Sequence, residues 1–283
     1  ALDLSGIARE PGLEYFLDFS VALKKDHPFR KRGFEVAHGQ FELPWFVAKE
    51  TTASELPPVA INDNKGLTVV GENFRITFDA ASGKINSYMI NGYELIQKGP
   101  QANFWRPPND NDKGSNMIGR LGVWREASQQ QKLLEIKSEQ ISRGLTQVVA
   151  TYTLDPVDGE QTVTYLIDGN GKIDVESSLA LSKNDLPDLP RYGMRWELPV
   201  AMANLQYFGR GPQENYVDRK SGAFIGMYGG KVADQYFNYV RPQENGYKTD
   251  VRWFALRNDN GIGIKISSEN PLSTEQIIYQ SNS

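Results

Sequence analysis

Alternation of apolar and polar residues with a period of two recurs along this chain, and it limits the fold more than any other feature. Phe74, Ile76 and Phe78, for example, alternate with polar residues. Asn91-Gly92 lies between two such runs, and both central residues of a type I′ hairpin turn need positive φ, which these two residue types adopt readily. The pattern therefore predicts successive strands joined by tight turns.

Further strands are predicted in the second half of the chain, at 145–154, 161–167, 172–181, 192–200, 251–257 and 261–267. The segments 168–171 and 258–261 are rich in Asn, Asp and Gly, and we interpret them as turns. Residues 129–136 have a helical and a strand interpretation, and we find no long amphipathic helical pattern. Many strands with few helices predict an all-β fold, a large sandwich or barrel.

The alternation also suggests how the chain divides into domains. A strand is predicted at 13–23, and a second alternating run follows after a charged loop. Two or three strands bury too little apolar surface to fold alone, so we interpret residues 1–48 as part of a β-sandwich. Residues 49–64 lose the alternation and contain a Pro-Pro pair, which predicts a linker, and residues 65–283 form the main domain.

Composition excludes several classes of function. The 283 residues include no cysteine, so disulfides and cysteine-based sites are excluded. Both histidines, His27 and His38, precede the main domain, which excludes Ser-His-Asp catalysis and histidine-ligated metals from it. A net charge of −4 lacks the basic footprint of a nucleic-acid binder. No apolar run approaches the roughly 20 residues of a membrane helix, so we expect neither a nucleic-acid nor a membrane partner.

Two polar corners of similar composition contain the side chains best suited to binding or catalysis. Residues 205–219 read LQYFGRGPQENYVDR, in which an apolar run ends at a Gly-Arg-Gly-Pro turn. The tetrapeptide Pro-Gln-Glu-Asn recurs at 242–245. Glycine and proline stiffen such turns, and two corners of one composition on a β scaffold predict a single shared face.

Each corner contains one glutamate, Glu214 or Glu244. Two carboxylates flanking a scissile bond are what a glycosidase needs, so a catalytic pair is one interpretation. In the other, which we favour, each carboxylate pairs with a nearby arginine, Arg219 or Arg241, and braces its own loop.

A third polar segment, FWRPPNDNDKG at 104–114, we interpret as a loop. Asp110, Asn111 and Asp112 offer oxygen ligands for a hard cation, but they lack the spacing of a calcium loop. We therefore favour a turn in which Asx side chains bond their own backbone, and expect no metal. We also expect Arg106 to pair with Asp110 or Asp112, and Arg219 to pair with Asp218 or Glu214.

Three motifs occur in order: FWRPPNDNDKG at 104–114, GRGPQENYVDR at 209–219, and Tyr239 with PQENG at 242–246. They resemble, respectively, the F-x-R-x-P-x-D-N-D-x-G, G-x-G-P-Q-E-N-Y-x-D-R and Y-x-x-P-x-E-N-G motifs of the large bacterial β-galactosidases of glycoside hydrolase family 2. Arg191 and Gly193 add a fourth, weaker point of resemblance to the same family. The motifs are long and rich in unusual residue types, so the resemblance is specific.

The resemblance implies that residues from about Lys65 form the enzyme's last domain, a galactose-mutarotase-like supersandwich of antiparallel strands. Residues 1–48 would be the back half of the immunoglobulin-like domain before it. The family's catalytic glutamates and its magnesium and sodium ligands reside on an upstream barrel. The resemblance thus implies no catalytic residue, metal or cofactor in this chain.

What the family takes from this domain is a wall of the galactose pocket, including a loop that shifts as the site closes. The resemblance assigns that wall or lid to Arg106, Asp110, Asn111, Asp112, Gly114 and Ser115, with Ser115 to Arg120 completing the mobile segment. It assigns to the motif loops Gly211, Pro212, Glu214, Asn215, Tyr216, Arg219, Glu244 and Asn245. A pocket aromatic also comes from this domain in the family, but its stretch lies beyond Ser283.

Two functions follow as hypotheses. In the first, the chain is the non-catalytic C-terminal part of an enzyme that hydrolyses terminal β-galactosides by a retaining mechanism, and is inactive by itself. Its partners would be the galactoside substrate and further copies of the chain in a homo-oligomer. In the second, it is a stand-alone carbohydrate-binding or assembly module, with Trp105 and Tyr216 as stacking platforms.

Overall fold

A computed structural model of the chain describes residues 2–49, 55–63, 66–241 and 243–274. The chain divides into two compact units, Ala1–Ser54 and Glu55–Ser283. The division into domains at 48 and 65 remains a prediction, and the parts of the predicted linker at 50–54 and 64 lie outside the described residues.

The first unit contains one antiparallel pair, β1 (Tyr15–Ala22) and β2 (Glu35–Leu43). Both predicted strands are confirmed. One face of the pair is apolar, and the rings of Phe19 and Phe41 contact each other edge to face, with centroids 5.6 Å apart. Phe41 remains 60% exposed, so the residues that the structure describes leave much of this apolar face uncovered.

The second unit is built from four antiparallel sheets, and the predicted all-β class is confirmed. Three sheets share one large core, and the fourth is a strand pair. The five-stranded sheet has the order β3 (Ala60–Asn62), β4 (Thr68–Val70), β5 (Phe74–Phe78), β6 (Ile85–Ile90), β7 (Tyr93–Glu94). The first four-stranded sheet has the order β12 (Ile173–Leu181), β11 (Gly159–Asp168), β10 (Leu145–Leu154), β9 (Lys132–Ser142). The second has the order β15 (Phe224–Lys231), β14 (Asn204–Gly211), β16 (Lys248–Arg257), β17 (Gly263–Thr274), and the pair is β13 (Gly193–Glu197) with β8 (Lys98–Asn103).

The core follows directly from the alternation. Along β10, every second side chain is buried, because successive side chains of a strand point to opposite faces. Phe78 of the five-stranded sheet meets Tyr165 of the neighbouring sheet edge to face, with ring centroids 5.3 Å apart. Inner faces of several sheets thus bury one another, which is the sandwich arrangement.

The predicted hairpin is confirmed. Asn91 has φ of 50° and Gly92 has φ of 82°, as a type I′ turn requires. Ile90 pairs with Tyr93 across the turn.

One helix lies within the segment 104–114, where a loop was predicted, and that prediction is wrong; a second helix, which was not predicted, follows it. Asp110–Gly114 forms α1, and Met117–Gln129 forms the 13-residue α2. Met117, Leu121 and Trp124 are buried against Phe104 in a second core, at the i, i+4, i+7 spacing of one helical face. Glycines within α2 weaken its propensity, and tertiary packing overrides that weakness.

Residues 129–136, which had two interpretations, contain the end of α2 and the start of β9 at Lys132. The predicted linker also differs from the structure. Its residues 60–62 form β3, which pairs with β4, and Val59 is buried in the main core. The Pro-Pro pair therefore precedes an edge strand and does not mark a free linker there.

Candidate functional site

The first polar corner leaves the end of β14 and is held by one buried amide. The Oδ1 atom of Asn215 accepts hydrogen bonds from the amide of Thr249 at 3.0 Å and from its hydroxyl at 2.6 Å. Its Nδ2 atom donates to the carbonyl oxygens of Arg210 and Gln213, each at 3.1 Å. The four bonds use the full capacity of the amide and fix the corner to β16.

Glu214 is braced, as we favoured. Its carboxylate accepts hydrogen bonds from the guanidinium of Arg219 at 3.1 Å, from the amide of Gly246 at 2.9 Å, and from the hydroxyl of Tyr239. The expected ion pair between Arg219 and Glu214 is confirmed. Three donors on one carboxylate leave it as a structural anchor between the two corners.

The second corner interlocks with the first, so the prediction of one shared face is confirmed. The rings of Tyr216 and Tyr247 stack with centroids 5.3 Å apart and 8° between their planes. The hydroxyl of Tyr216 donates to the carbonyl oxygen of Glu244 at 3.0 Å. Asn245 bonds both the amide and the carbonyl of Phe237, which fixes the approach to this corner. Pro242 lies outside the described residues.

Arg106 and Asp112 form the expected ion pair. The guanidinium donates two hydrogen bonds to the carboxylate, at 2.5 and 2.9 Å, in the bidentate geometry that suits arginine. Asp112 also accepts from the amide of Asn109, whose own side chain accepts from the amide of Asp112. This capping box starts α1, so the Asx interpretation of the segment is confirmed in helical form.

Glu244 pairs with an arginine, but with a different one from that expected. Its carboxylate accepts a hydrogen bond from Arg191, and the guanidinium of Arg106 lies 4.0 Å away. Arg241 instead lies 3.8 Å from the carboxylate of Asp110. The partner came from a segment 53 residues distant in sequence, which local pattern could not reveal.

Burial dominates the titration of Glu244. The side chain is 7% exposed, and removal from water raises the pKa of its carboxyl, while the charges of Arg191 and Arg106 oppose that rise. Asp112 differs: loss of water is the largest single effect and raises the pKa of its carboxyl, but the hydrogen bonds from Arg106 and from the amide of Asn109, with the charge of Arg106, together outweigh it and lower the pKa. Two arginines and two carboxylates thus form one compact, charge-balanced cluster.

The segment assigned to a lid is helical at its start. The amide of Ser115 donates to the carbonyl oxygen of Asn111 at 2.9 Å. The hydroxyl of Ser115 donates to the backbone carbonyl oxygen of Asp112 at 3.1 Å. Asn111, Gly114 and Ser115 are exposed. Their role as a wall or lid stays a prediction.

Glu214 and Glu244 do not face each other across one cavity. Glu214 lines a cavity of about 300 Å³, whose described lining residues do not include Glu244. Lys248, a lining residue that our sequence analysis missed, lies between the PQENG motif at 242–246 and the strand predicted at 251–257, and its burial depends on the tertiary fold.

Within the described ranges, no group of three or more histidine, aspartate or glutamate side chains is placed to hold a metal ion. None of the helices described is long and apolar enough to cross a membrane.

Comparison with known proteins agrees with the motif evidence. Residues 70–281 match the family described as beta galactosidase small chain, and residues 1–44 match that described as beta-galactosidase, domain 4. A beta-galactosidase of Priestia megaterium is 37% identical over 254 residues, covering 89% of this chain and 24% of the relative.

Two further relatives come from other organisms. A beta-galactosidase of Halalkalibacterium halodurans is 33% identical, covering 93% of this chain and 26% of the relative. One of Kluyveromyces lactis is 32% identical, covering 84% of this chain and 24% of the relative. The chain therefore spans about a quarter of the length of these relatives.

Proposed function

This chain belongs to the beta galactosidase small chain family. We propose that it is the non-catalytic C-terminal part of an enzyme that hydrolyses terminal β-galactosides such as lactose. Its interlocked corners and α1 wall the substrate pocket of the assembled enzyme. The retaining reaction itself takes place on the part of the protein outside this chain.

One observation carries the proposal: both corner carboxylates are committed to holding loops together. A glycosidase acid must reach the glycosidic oxygen, and its partner must reach the sugar from the opposite face. Glu214 instead accepts three hydrogen bonds from its own domain, and Glu244 is enclosed by Arg191 and Arg106. Carboxylates held in this way brace a surface, and their partners in this chain compete with proton transfer to a substrate.

This chain contributes to turnover by holding one wall of the substrate pocket in place. Loops held by Asn215 and by the arginine–carboxylate cluster keep their shape without substrate, so substrate binding costs less ordering of the wall. A fixed wall also excludes water from the pocket, which strengthens the electrostatic interactions of the catalytic groups.

The metal ions of the family, magnesium and sodium, belong to the same proposal and would reside outside this chain. The assembly into a homo-oligomer is likewise proposed. The exposed apolar face of β1 and β2, with Phe41 more than half exposed, supports it because such a face is stabilised by burial against another surface.

The direct test is hydrolysis of a nitrophenyl galactoside by the purified chain. We expect no turnover above background, and the same result for the Glu214→Gln/Glu244→Gln double variant. Turnover that the double variant loses would overturn the assignment of both carboxylates as braces.

A graft tests the wall directly. Replacing the corresponding quarter of the Priestia megaterium relative by this chain should give an active enzyme. Arg106→Met in the graft should lower kcat/KM by about tenfold, because loss of the bidentate pair loosens α1 and a small misplacement of positioning groups is costly. The exposed Lys183→Met is the matched control and should leave kcat/KM unchanged. An active graft indifferent to Arg106→Met would contradict the role of α1 in the wall.

The alternative, a stand-alone carbohydrate-binding or assembly module, loses one of its two platforms in this geometry. Tyr216 already stacks on Tyr247, and the guanidinium of Arg219 lies 5.2 Å from its ring centroid. Trp105 remains half-buried beside Arg125. Calorimetric titration with galactose and lactose decides: saturable binding lost in Trp105→Ala favours the module, and absence of binding favours the wall.

A further inference from the structure

A cavity of about 300 Å³ opens beneath the two corners, between the turn after β14, the segment 234–239 and the start of β16. That volume is at the lower end of the range of small-molecule sites. Its walls combine three aromatic residues with a lysine, an arginine and two carboxylates, Glu214 and Asp234. One charged group among these walls lacks a close partner of opposite charge among the described residues.

That group is the ammonium of Lys248. The residue is 2% exposed, yet its Nζ atom makes only one hydrogen bond to the described residues, a long one of 3.5 Å to the carbonyl oxygen of Gly246. Among those residues no carboxylate lies within ion-pair distance of it. An ammonium has three donors, so two remain unused where the lysine lines the cavity.

The neighbouring carboxylates do not pair with the ammonium of Lys248. Glu214 is the nearest candidate, but Arg219, Tyr239 and the amide of Gly246 already occupy its carboxylate. Its charge acts on Lys248 only at a distance and opposes the larger effect of burial, which lowers the pKa of the ammonium. Buried charges in proteins are normally paired, because leaving water without a counter-ion is costly.

The other walls indicate what kind of anion would fit. Tyr236 and Phe237 are more than half exposed and line the cavity, and the rings of Phe237 and Tyr239 lie 4.8 Å apart. Exposed aromatic rings around a cavity favour a ligand with an apolar body. Asp234, at the exposed side of the cavity, disfavours a multiply charged inorganic anion.

We infer that this cavity binds a small organic monocarboxylate, whose carboxylate accepts hydrogen bonds from the buried Lys248 ammonium and whose apolar body contacts Tyr236, Phe237 and Tyr239. Lys248 thus gains a counter-ion, and the ligand desolvates rings that are otherwise exposed. The inference does not depend on the proposed function, since it rests on contacts within this chain alone.

Benzoate is a suitable probe, and benzamide is its neutral counterpart of the same shape. Titration of the 283-residue chain at pH 7, by calorimetry and saturation-transfer NMR at constant ionic strength, should give saturable binding of benzoate. Benzamide should bind at least tenfold more weakly, because it brings no charge to the ammonium.

Variants connect the binding to the residue. Lys248→Met keeps the apolar stem and should bind benzoate at least tenfold more weakly, while the exposed Lys183→Met retains wild-type affinity. Lys248→Gln serves the same purpose should the methionine variant not fold, as judged by circular dichroism. No saturable binding, equal binding of benzoate and benzamide, or unchanged affinity in the folded Lys248 variant would each overturn the inference. Tighter binding of inorganic phosphate than of benzoate would also overturn it, because the aromatic walls would then have no role.

Discussion

Replacing Asn215 by alanine is predicted to destabilise the second unit more than any other single truncation in the polar corners. The residue is 1% exposed and its side chain makes four hydrogen bonds. At a net value of about 1 kcal/mol for each bond, the loss amounts to about 4 kcal/mol. Domains are typically stable by only about 5 to 15 kcal/mol, so this is a large fraction of the total.

The assay is urea unfolding followed by tryptophan fluorescence, which reports on the second unit through the buried Trp124. The exposed Asn238 is the matched control, and its alanine variant should change the unfolding free energy by less than about 0.5 kcal/mol. A loss below about 1 kcal/mol for Asn215→Ala would refute the reasoning, because water would then replace the amide at no cost.

A second substitution separates hydrogen bonding from volume. Asn215→Asp keeps the shape but turns two donors into an acceptor that faces two carbonyl oxygens. Burial and these carbonyls should raise the folded-state pKa of the new carboxyl above its unfolded value. Its protonated form then stabilises the fold at low pH, and that stability is lost as pH rises through the folded pKa. The variant should therefore lose more stability at pH 7 than at pH 4, and equal losses would contradict this account.

Four further predictions concern the same region and the first unit. Gly211→Ala should lower the unfolding free energy by about 1 to 3 kcal/mol in urea, because its Cβ would lie 2.7 Å from a tyrosine ring atom; an unchanged midpoint would show that the ring moves freely. Asp112→Ala should cost about 2 to 4 kcal/mol in the same assay, since it removes both bonds to Arg106 and the bond from the amide of the N-cap residue Asn109, and a cost near zero would contradict the bidentate pair. Burial raises the folded-state pKa of Glu244, so its contribution to stability is present below its unfolded pKa and lost as pH rises through the folded pKa. The unfolding free energy of Glu244→Gln, relative to that of the wild type, should therefore be higher at pH 7 than at pH 4. The opposite trend would mean that the ion pairs of Glu244 dominate. The chain should self-associate in sedimentation, and Phe41→Asp should shift it toward monomer; a monodisperse wild-type monomer would contradict the exposed apolar face.

The strands were predictable because their signal is local. Leu145–Leu154 was predicted with the bounds that the structure has, since it is rich in valine and threonine between Gly144 and Pro156, and its inner face is buried along the whole length. The Asn91-Gly92 turn was equally predictable, because positive φ at two successive positions demands those residue types. Both signals lie within about ten residues of sequence.

The helix α2 shows where such reasoning fails. Met117, Leu121 and Trp124 carry the correct spacing, but the glycines between them argue against a helix. What makes the helix stable is the second core around Phe104, whose ring lies 6.1 Å from that of Trp124. That contact forms only after the chain has folded, so propensity summed over the segment could not anticipate it.

The candidate site divides in the same way. The pairs Arg106–Asp112 and Arg219–Glu214 were predictable, because each joins residues five or six positions apart in one motif. The partner of Glu244 was predicted wrongly, because Arg191 reaches it from another part of the fold. Sequence by itself determined the β class, the turns and the local ion pairs, since each depends on neighbours along the chain. Only the tertiary structure decided that two distant corners share one face, that Glu244 is enclosed by two arginines, and that Lys248 is buried with no counter-ion among the residues that the structure describes. Those features depend on which strands lie side by side, and burial is a property of the assembled sheets, which no single segment contains.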